Sequence, residues 1–278
     1  MARMPPSSIP DILYGTAWKE ERTQGLVELA LRTGFRGIDT ANQRRHYVEA
    51  AVGQGLAAAY RDGVVTRDDV FLQTKFTYLP GQDHRLPYDP QADLSTQVGQ
   101  SMASSLEHLG TDRVDSYVLH GPASRDHWTE ADAEVWAAMT QERDAGRTRL
   151  LGVSNISREQ LHQLVASAAE APAFVQNRCF AHDGWDREVR AFCAERRIVY
   201  QGFSLLTANR QVLADPLVTG IAERCGATPA QVVFRFARAV GMLPITGTSS
   251  AVHMAQDLDS RALVLTADEV RAIESLGG

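Results

Sequence analysis

The chain has 278 residues, of which 44% are hydrophobic and 22% charged, and a net charge of −6. Basic and acidic residues are mixed along it, and Arg44-Arg45 is only a pair on a solvated loop, which argues against a nucleic-acid-binding basic patch. No run approaches the ~20 apolar residues of a membrane-spanning helix, and one α/β barrel of about 250 residues accommodates the length without a second domain.

In chain order, residues 1–8 are short, polar and proline-bearing, without the apolar stretch of a signal peptide. The first strand, 12–16, runs into Gly15-Thr16-Ala17-Trp18 rather than into a GxGxxG turn, which counts against an open dinucleotide-binding sheet. Residues 20–32 read as a helix carrying Leu26, Leu29, Ala30 and Thr33 at helical spacing. Strand 36–39 closes on Asp39, and Tyr47 follows a few residues later. Strand 70–75 closes on Lys75 and leads into a loop-like stretch, 79–91, with prolines at 80, 87 and 90. That position places the loop over the same rim as Lys75. Helix 94–109 carries Val98, Met102, Leu106 and Leu109, and strand 114–120 closes on His120. Strands 150–154, 174–176, 199–202 and 243–246 follow.

Helix starts are marked between these strands. Ser157 and Gln160 form a capping box. Thr228-Pro229 puts proline at the first helical position before 230–239. Thr266-Ala267-Asp268-Glu269 begins a last helix that ends in Gly277-Gly278. Eight strands alternating with helices predict a (β/α)8 TIM barrel spanning residues 1–278 as one domain, with a mainly parallel sheet. Cys179, Cys193 and Cys225 are odd in number and irregular in spacing, with no CxxC or zinc pattern. They read as reduced thiols of a cytoplasmic protein, and no metal site is expected. No large exposed apolar helix face is evident, so a monomer is expected.

In such a barrel the C-terminal strand ends meet on one rim. Asp39, Lys75 and His120 therefore belong to one site, joined by Tyr47. A phenol titrates near ~10, and a nearby ammonium lowers that value by stabilising the phenolate. A carboxylate holds the ammonium charged, and an imidazole orients a carbonyl oxygen or relays a proton. The set suits proton delivery to a carbonyl oxygen becoming an alkoxide, with hydride from a nicotinamide cofactor. Taken singly, Asp39 is also a helix cap, His120 a core histidine and Tyr47 a packing aromatic. Lys75 is harder to dismiss, because an unpaired buried ammonium is costly.

Gly37-Ile38-Asp39-Thr40-Ala41, Thr74-Lys75, Leu119-His120-Gly121-Pro122 and Gly152-Val153-Ser154-Asn155 follow in that order. Together, over almost the whole chain, they resemble the aldo-keto reductases. That resemblance implies an eight-stranded barrel reducing aldehydes or ketones with a nicotinamide cofactor. It makes Tyr47 the general acid, tuned by Lys75 and Asp39, with His120 orienting the substrate carbonyl. Trp18 matches an aromatic of the substrate pocket, with simple packing as its alternative; Tyr78 and Trp128 are further pocket candidates.

For the cofactor, the resemblance assigns Ser154, Asn155 and Gln176 to the nicotinamide carboxamide. Phe203 stands where a stacking tyrosine is usual, and stacking needs only an aromatic face. Ser204 and Leu205 fall near the pyrophosphate. Gly247, Thr248 and Ser249, followed by His253 and Gln256, form the adenosine-phosphate segment at a helix start.

Two departures stand out. Tyr47 lies eight positions after Asp39 where the family usually has five, which leaves His46 as the neighbouring candidate; only a phenol gives the lysine-tuned acid. Gly247 and His253 occupy positions that commonly hold a lysine and an arginine for the 2′-phosphate, and neither carries a permanent charge. NADPH is the expected cofactor and NADH the alternative. Many relatives continue past the last helix with a loop that walls the pocket; ending at Gly278 implies a more open pocket. A non-catalytic, nucleotide-binding regulatory subunit on the same barrel is the competing function, and an unrelated barrel isomerase or hydrolase a third.

Overall fold

Eight parallel strands pair in sequence order and close into a barrel in the computed structural model, which describes residues 9–277. The strands are β1 (Leu13–Gly15), β2 (Gly37–Asp39), β3 (Phe71–Phe76), β4 (Val114–Leu119), β5 (Thr148–Ser154), β6 (Phe174–Arg178), β7 (Val199–Phe203) and β8 (Met242–Thr246). All eight fall where the apolar runs placed them. β6 runs two residues past the expected end, which carries Arg178 onto the rim opposite Phe203 of β7. Residues 1–8, read from the sequence as lacking a signal-peptide stretch, lie outside the described residues, as does Gly278.

Around the strands lie α1 (Thr23–Thr33), α2 (Glu49–Arg61), α3 (Leu94–Leu109), α4 (Glu130–Asp144), α5 (Arg158–Ser167) and α6 (Arg187–Arg196). The remainder are α7 (Arg210–Leu213), α8 (Pro216–Cys225), α9 (Pro229–Ala239), α10 (Ala251–Asp259) and α11 (Ala267–Glu274). The capping boxes at Ser157, Thr228 and Thr266 all form, each hydroxyl accepting from the N–H three residues on. The helix expected over 20–32 is instead a 3-10 turn (Glu20–Arg22) followed by α1. Trp18 and Glu20 have φ of 60° and 46°, so the chain reverses direction here before a regular helix can begin. The last helix stops at Glu274, ahead of the glycines.

Side chains alternate across each strand, so one residue in two points into the barrel. Leu13, Phe71, Phe174, Leu243 and Ile245 form a small apolar cluster there, separate from the large core between strands and helices. Further along the same inward rows come Gln73 after Phe71, Gln176 after Phe174 and Gln201 after Val199. Lys75 and Phe203 come last. The barrel interior thus passes from apolar through amide to charged toward its C-terminal end.

Candidate active site at the C-terminal rim

Lys75 is fully buried, and its ammonium is satisfied on every side that the rim offers. Nζ donates to Asp39 Oδ1 and Oδ2 at 2.7 and 2.8 Å and to the Thr40 carbonyl at 2.8 Å. A buried charge persists only with such partners. Burial pulls the lysine below its ordinary pKa, and the Asp39 carboxylate opposes that fall. Asp39 Oδ1 also accepts from Gln73 Nε2 at 2.7 Å and from Gln176 Nε2 at 3.0 Å.

Tyr47 reaches this pair despite its lengthened loop. The Gln43 carbonyl accepts from both His46 and Tyr47 backbone N–H groups, at 3.2 and 3.0 Å, and the resulting turn absorbs the extra residues. The Lys75 ammonium lies 5.3 Å from the centre of the Tyr47 ring. The same ring meets His120 edge-on, centroids 5.9 Å apart. His46 points elsewhere, its ring 4.0 Å from that of Trp18, so the structure brings Tyr47 and not His46 to the lysine.

The direction of the Tyr47 shift reverses the sequence-based expectation. Burial, and then the Asp39 carboxylate, raise the phenol above its usual value rather than lowering it. Burial strips the phenolate of water, and the Asp39 carboxylate adds a like charge beside it. Tyr47 therefore holds its proton at neutral pH. His120 is pushed down to about 3 by burial, then by the charges of Lys75 and His46, so its ring is neutral. Its Nδ1 lies 2.8 Å from the Thr77 hydroxyl.

A cleft of about 410 Å³ opens beside these groups, lined by Gln43, His46, Thr77, Tyr78, His120 and Asn155 among others. Pro80 and Gly81 of the loop after β3 also line it, as that loop's position predicted. Tyr47 is buried and meets the ring of His120, which lines the cleft. Trp18 is 68% exposed and stands outside the lining, stacked on His46. Tyr78 lines the cleft, with its hydroxyl 2.9 Å from Asp132 Oδ1. Trp128 does not; it packs edge-on against Trp136.

The residues assigned to a carboxamide lie together at the ends of β5 and β6. Ser154 Oγ donates to the Gln176 carbonyl at 2.7 Å, and Asn155 Nδ2 reaches the His120 carbonyl at 2.8 Å and Ser154 Oγ at 3.1 Å. Asn155 has φ of 51° and Ser204 of 58°; such left-handed non-glycine backbone is uncommon and concentrates at functional sites. Phe203 is half-buried at the end of β7. The Leu205 side chain is buried in the large core, so only its backbone remains for a ligand.

At the far end, Ser250 caps α10, just after Gly247, Thr248 and Ser249. Gly247 and Ser249 are exposed, as is His253, while Gln256 is half-buried on α10. Gly247 has no charge of its own, yet Lys19 Nζ donates to its carbonyl, and a Cβ at 247 would lie 3.6 Å from that ammonium. Sequence reasoning missed this cation, because Lys19 belongs to the loop after β1. It also missed Thr77, Gln73 and Gln201. The two glutamines carried a readable signal: each interrupts an apolar strand at an inward position, two residues before Lys75 or Phe203.

A sequence profile described as the Aldo/keto reductase family matches residues 12–277. An aldo-keto reductase of Mycolicibacterium vanbaalenii is 34% identical over 249 residues, covering 89% of this chain and 80% of the relative. Aldo-keto reductase AKR2E4 of Bombyx mori is 30% identical, covering 96% of this chain and 88% of the relative. The crystal structure of that silkworm protein in complex with NADP superposes with a TM-score of 0.81 at 26% identity, covering 96% of this chain and 88% of that one. An aldo/keto reductase from Brucella melitensis gives a TM-score of 0.81 at 26% identity over 96% of this chain and 95% of its own.

Proposed function

The chain belongs to the aldo/keto reductase family, and from that premise we propose that it reduces an aldehyde or ketone to the alcohol with NADPH, Tyr47 giving the proton. One observation carries the reading: a buried Lys75–Asp39 pair lies against the Tyr47 ring, which in turn meets His120 in the wall of a cleft.

The residues present fit a nicotinamide dinucleotide. Phe203 offers a ring at the end of β7, and Ser154, Asn155 and Gln176 gather polar atoms beside it. Thr248 and Ser249, the Ser204 and Leu205 backbone, and the Lys19 ammonium at Gly247 suit its phosphates. His253 and Gln256 stand on the first turns of the adjoining helix. Lys19 restores a positive charge where position 247 lacks one, which favours NADPH over NADH.

Bound NADPH supplies the hydride. The protein handles the proton and the polarity of the carbonyl. Neutral His120 orients the carbonyl oxygen by donating from its outer ring nitrogen. Tyr47 passes its proton to the oxygen as negative charge develops there, and the Lys75 ammonium stabilises the phenolate left behind. Asp39 keeps that ammonium charged and in place. Three cysteines without disulfides accord with a reducing compartment, and we place the protein in the cytoplasm.

Tyr47→Phe is the test. Reduction of a panel of aldehydes and ketones should fall by about 10²–10⁴-fold, with NADPH binding, read by fluorescence, unchanged. Full activity in this variant removes Tyr47 as the acid. A wild-type chain that binds NADPH but reduces no carbonyl would favour the regulatory reading instead.

A further inference from the structure

Three glutamines form a closed amide network beneath the rim. Gln73 and Gln201 are fully buried and Gln176 is 3% exposed. Gln73 and Gln201 bond reciprocally: Gln73 Nε2 donates to Gln201 Oε1 at 2.9 Å, and Gln201 Nε2 to Gln73 Oε1 at 3.0 Å. Gln201 Oε1 accepts a second time, from Gln176 Nε2 at 2.9 Å. Asp39 Oδ1 accepts from both Gln73 and Gln176.

This pattern has one consistent polarity. A carboxylate only accepts, so Asp39 requires N–H from both neighbouring glutamines. With Gln73 so oriented, its second N–H points Gln201 Oε1 inward, and Gln201 Oε1 in turn requires N–H from Gln176. Turning the Gln176 amide over would set its oxygen against two acceptors at once. Both N–H groups of Gln176 are thereby used, and only Oε1 remains. That oxygen has no hydrogen-bond partner among the described residues, yet it is not among the sealed-in unpartnered atoms, which include Gln43 Oε1 and Gln82 Oε1. It keeps some exposure, on a residue paired in register with Ser154 of β5.

We propose that Gln73 and Gln201 are positioning residues for cofactor recognition, fixing Gln176 as a pure hydrogen-bond acceptor that reads the NH2 of a nicotinamide carboxamide. The inference rests on the dinucleotide reading above. Neither Gln73 nor Gln201 touches the ligand. Each acts through Gln176, because an amide held from behind presents one end only. Asp39 alone sets which end of the Gln176 amide is which; without Gln201, itself held by Gln73, the amide keeps a single anchor and its Oε1 swings off the line to the carboxamide.

The test compares NADPH with its reduced 3-acetylpyridine analogue, in which a methyl group replaces the carboxamide NH2. Dissociation constants are read by fluorescence for the wild type and for Gln201→Met. The variant should bind NADPH about tenfold more weakly and the analogue as the wild type does. Equal losses on both ligands, or no loss on either, overturn the proposal. Gln73→Met is read the same way should Gln201→Met fail to fold. Failure of both to fold assigns the network to stability alone and also overturns it. A wild type that binds neither ligand defeats the dinucleotide reading itself, a different result from parallel losses in a variant.

Discussion

Tyr47 keeps its proton at neutral pH because burial and the Asp39 carboxylate both disfavour the phenolate. A general acid whose pKa is raised stays in its active, protonated form to higher pH, so the alkaline limb of the rate profile moves up. His120, already neutral down to about 3, contributes no limb near neutrality. We therefore expect kcat/KM for reduction to be flat between about pH 5 and pH 9. A step near pH 6.5 in steady-state kinetics would show a titrating histidine and contradict this. Thr77 bears on the same ring. A neutral imidazole donates from Nε2 only when Nδ1 accepts, and among the described residues the side-chain partner of Nδ1 is the Thr77 hydroxyl, 2.8 Å away. Thr77→Val should lower kcat by about tenfold and leave the NADPH dissociation constant unchanged, while Thr77→Ser retains activity. Repeating Thr77→Val in a His120→Gln background checks the mechanism: the second change should then cost nothing further.

Among the elements, α2, which follows the Tyr47 loop, packs closely on α3. Glu49, in the first turn of α2, is buried; it accepts from the Thr74 hydroxyl of β3 and faces His108 Nδ1 of α3 at 3.2 Å. One turn along, Gly53 lies against the His108 carbonyl, and a Cβ there would overlap that oxygen. Backbone, unlike a flexible side-chain tip, does not yield cheaply. Gly53→Ala is expected to cost about 1–3 kcal/mol of stability, measured by denaturant unfolding, because α3 must shift outward to admit one methyl group. A variant as stable as the wild type would mean that the seam relaxes freely. Helix starts at Ser157, Thr228 and Thr266 were legible from sequence because a cap needs only residues three apart. The start of α1 was not, since the left-handed turn through Trp18 and Glu20 leaves no comparable local mark.

For the molecule as a whole, a closed barrel has no free sheet edge, and its ligand groups come from the ends of many strands. Binding that spans these ends should stabilise the whole fold. NADPH at about 100 times its dissociation constant adds about 2.7 kcal/mol, or about 5–10 °C in melting temperature, and NADH at the same concentration should add less. A melting curve unmoved by NADPH would contradict the cofactor assignment, and a larger shift with NADH would reverse the preference. Much of the architecture was readable in one dimension. Eight apolar runs, each ended by a polar residue or a turn, specify strands and helices through contacts a few residues apart. They also place Asp39, Lys75 and His120 on one rim, because parallel strands share a direction. Other features depended on closure of the barrel. Gln73 bonds Gln201 across 128 positions, and Lys19 reaches Gly247 across 228. The sign of the Tyr47 shift belongs with these, since desolvation of the phenol and its proximity to the Asp39 carboxylate arise only once the rim is assembled. Sequence by itself determined which chemical groups stand at the strand ends. Tertiary structure alone decided which of them meet, how dry their surroundings are, and hence which proton each one keeps.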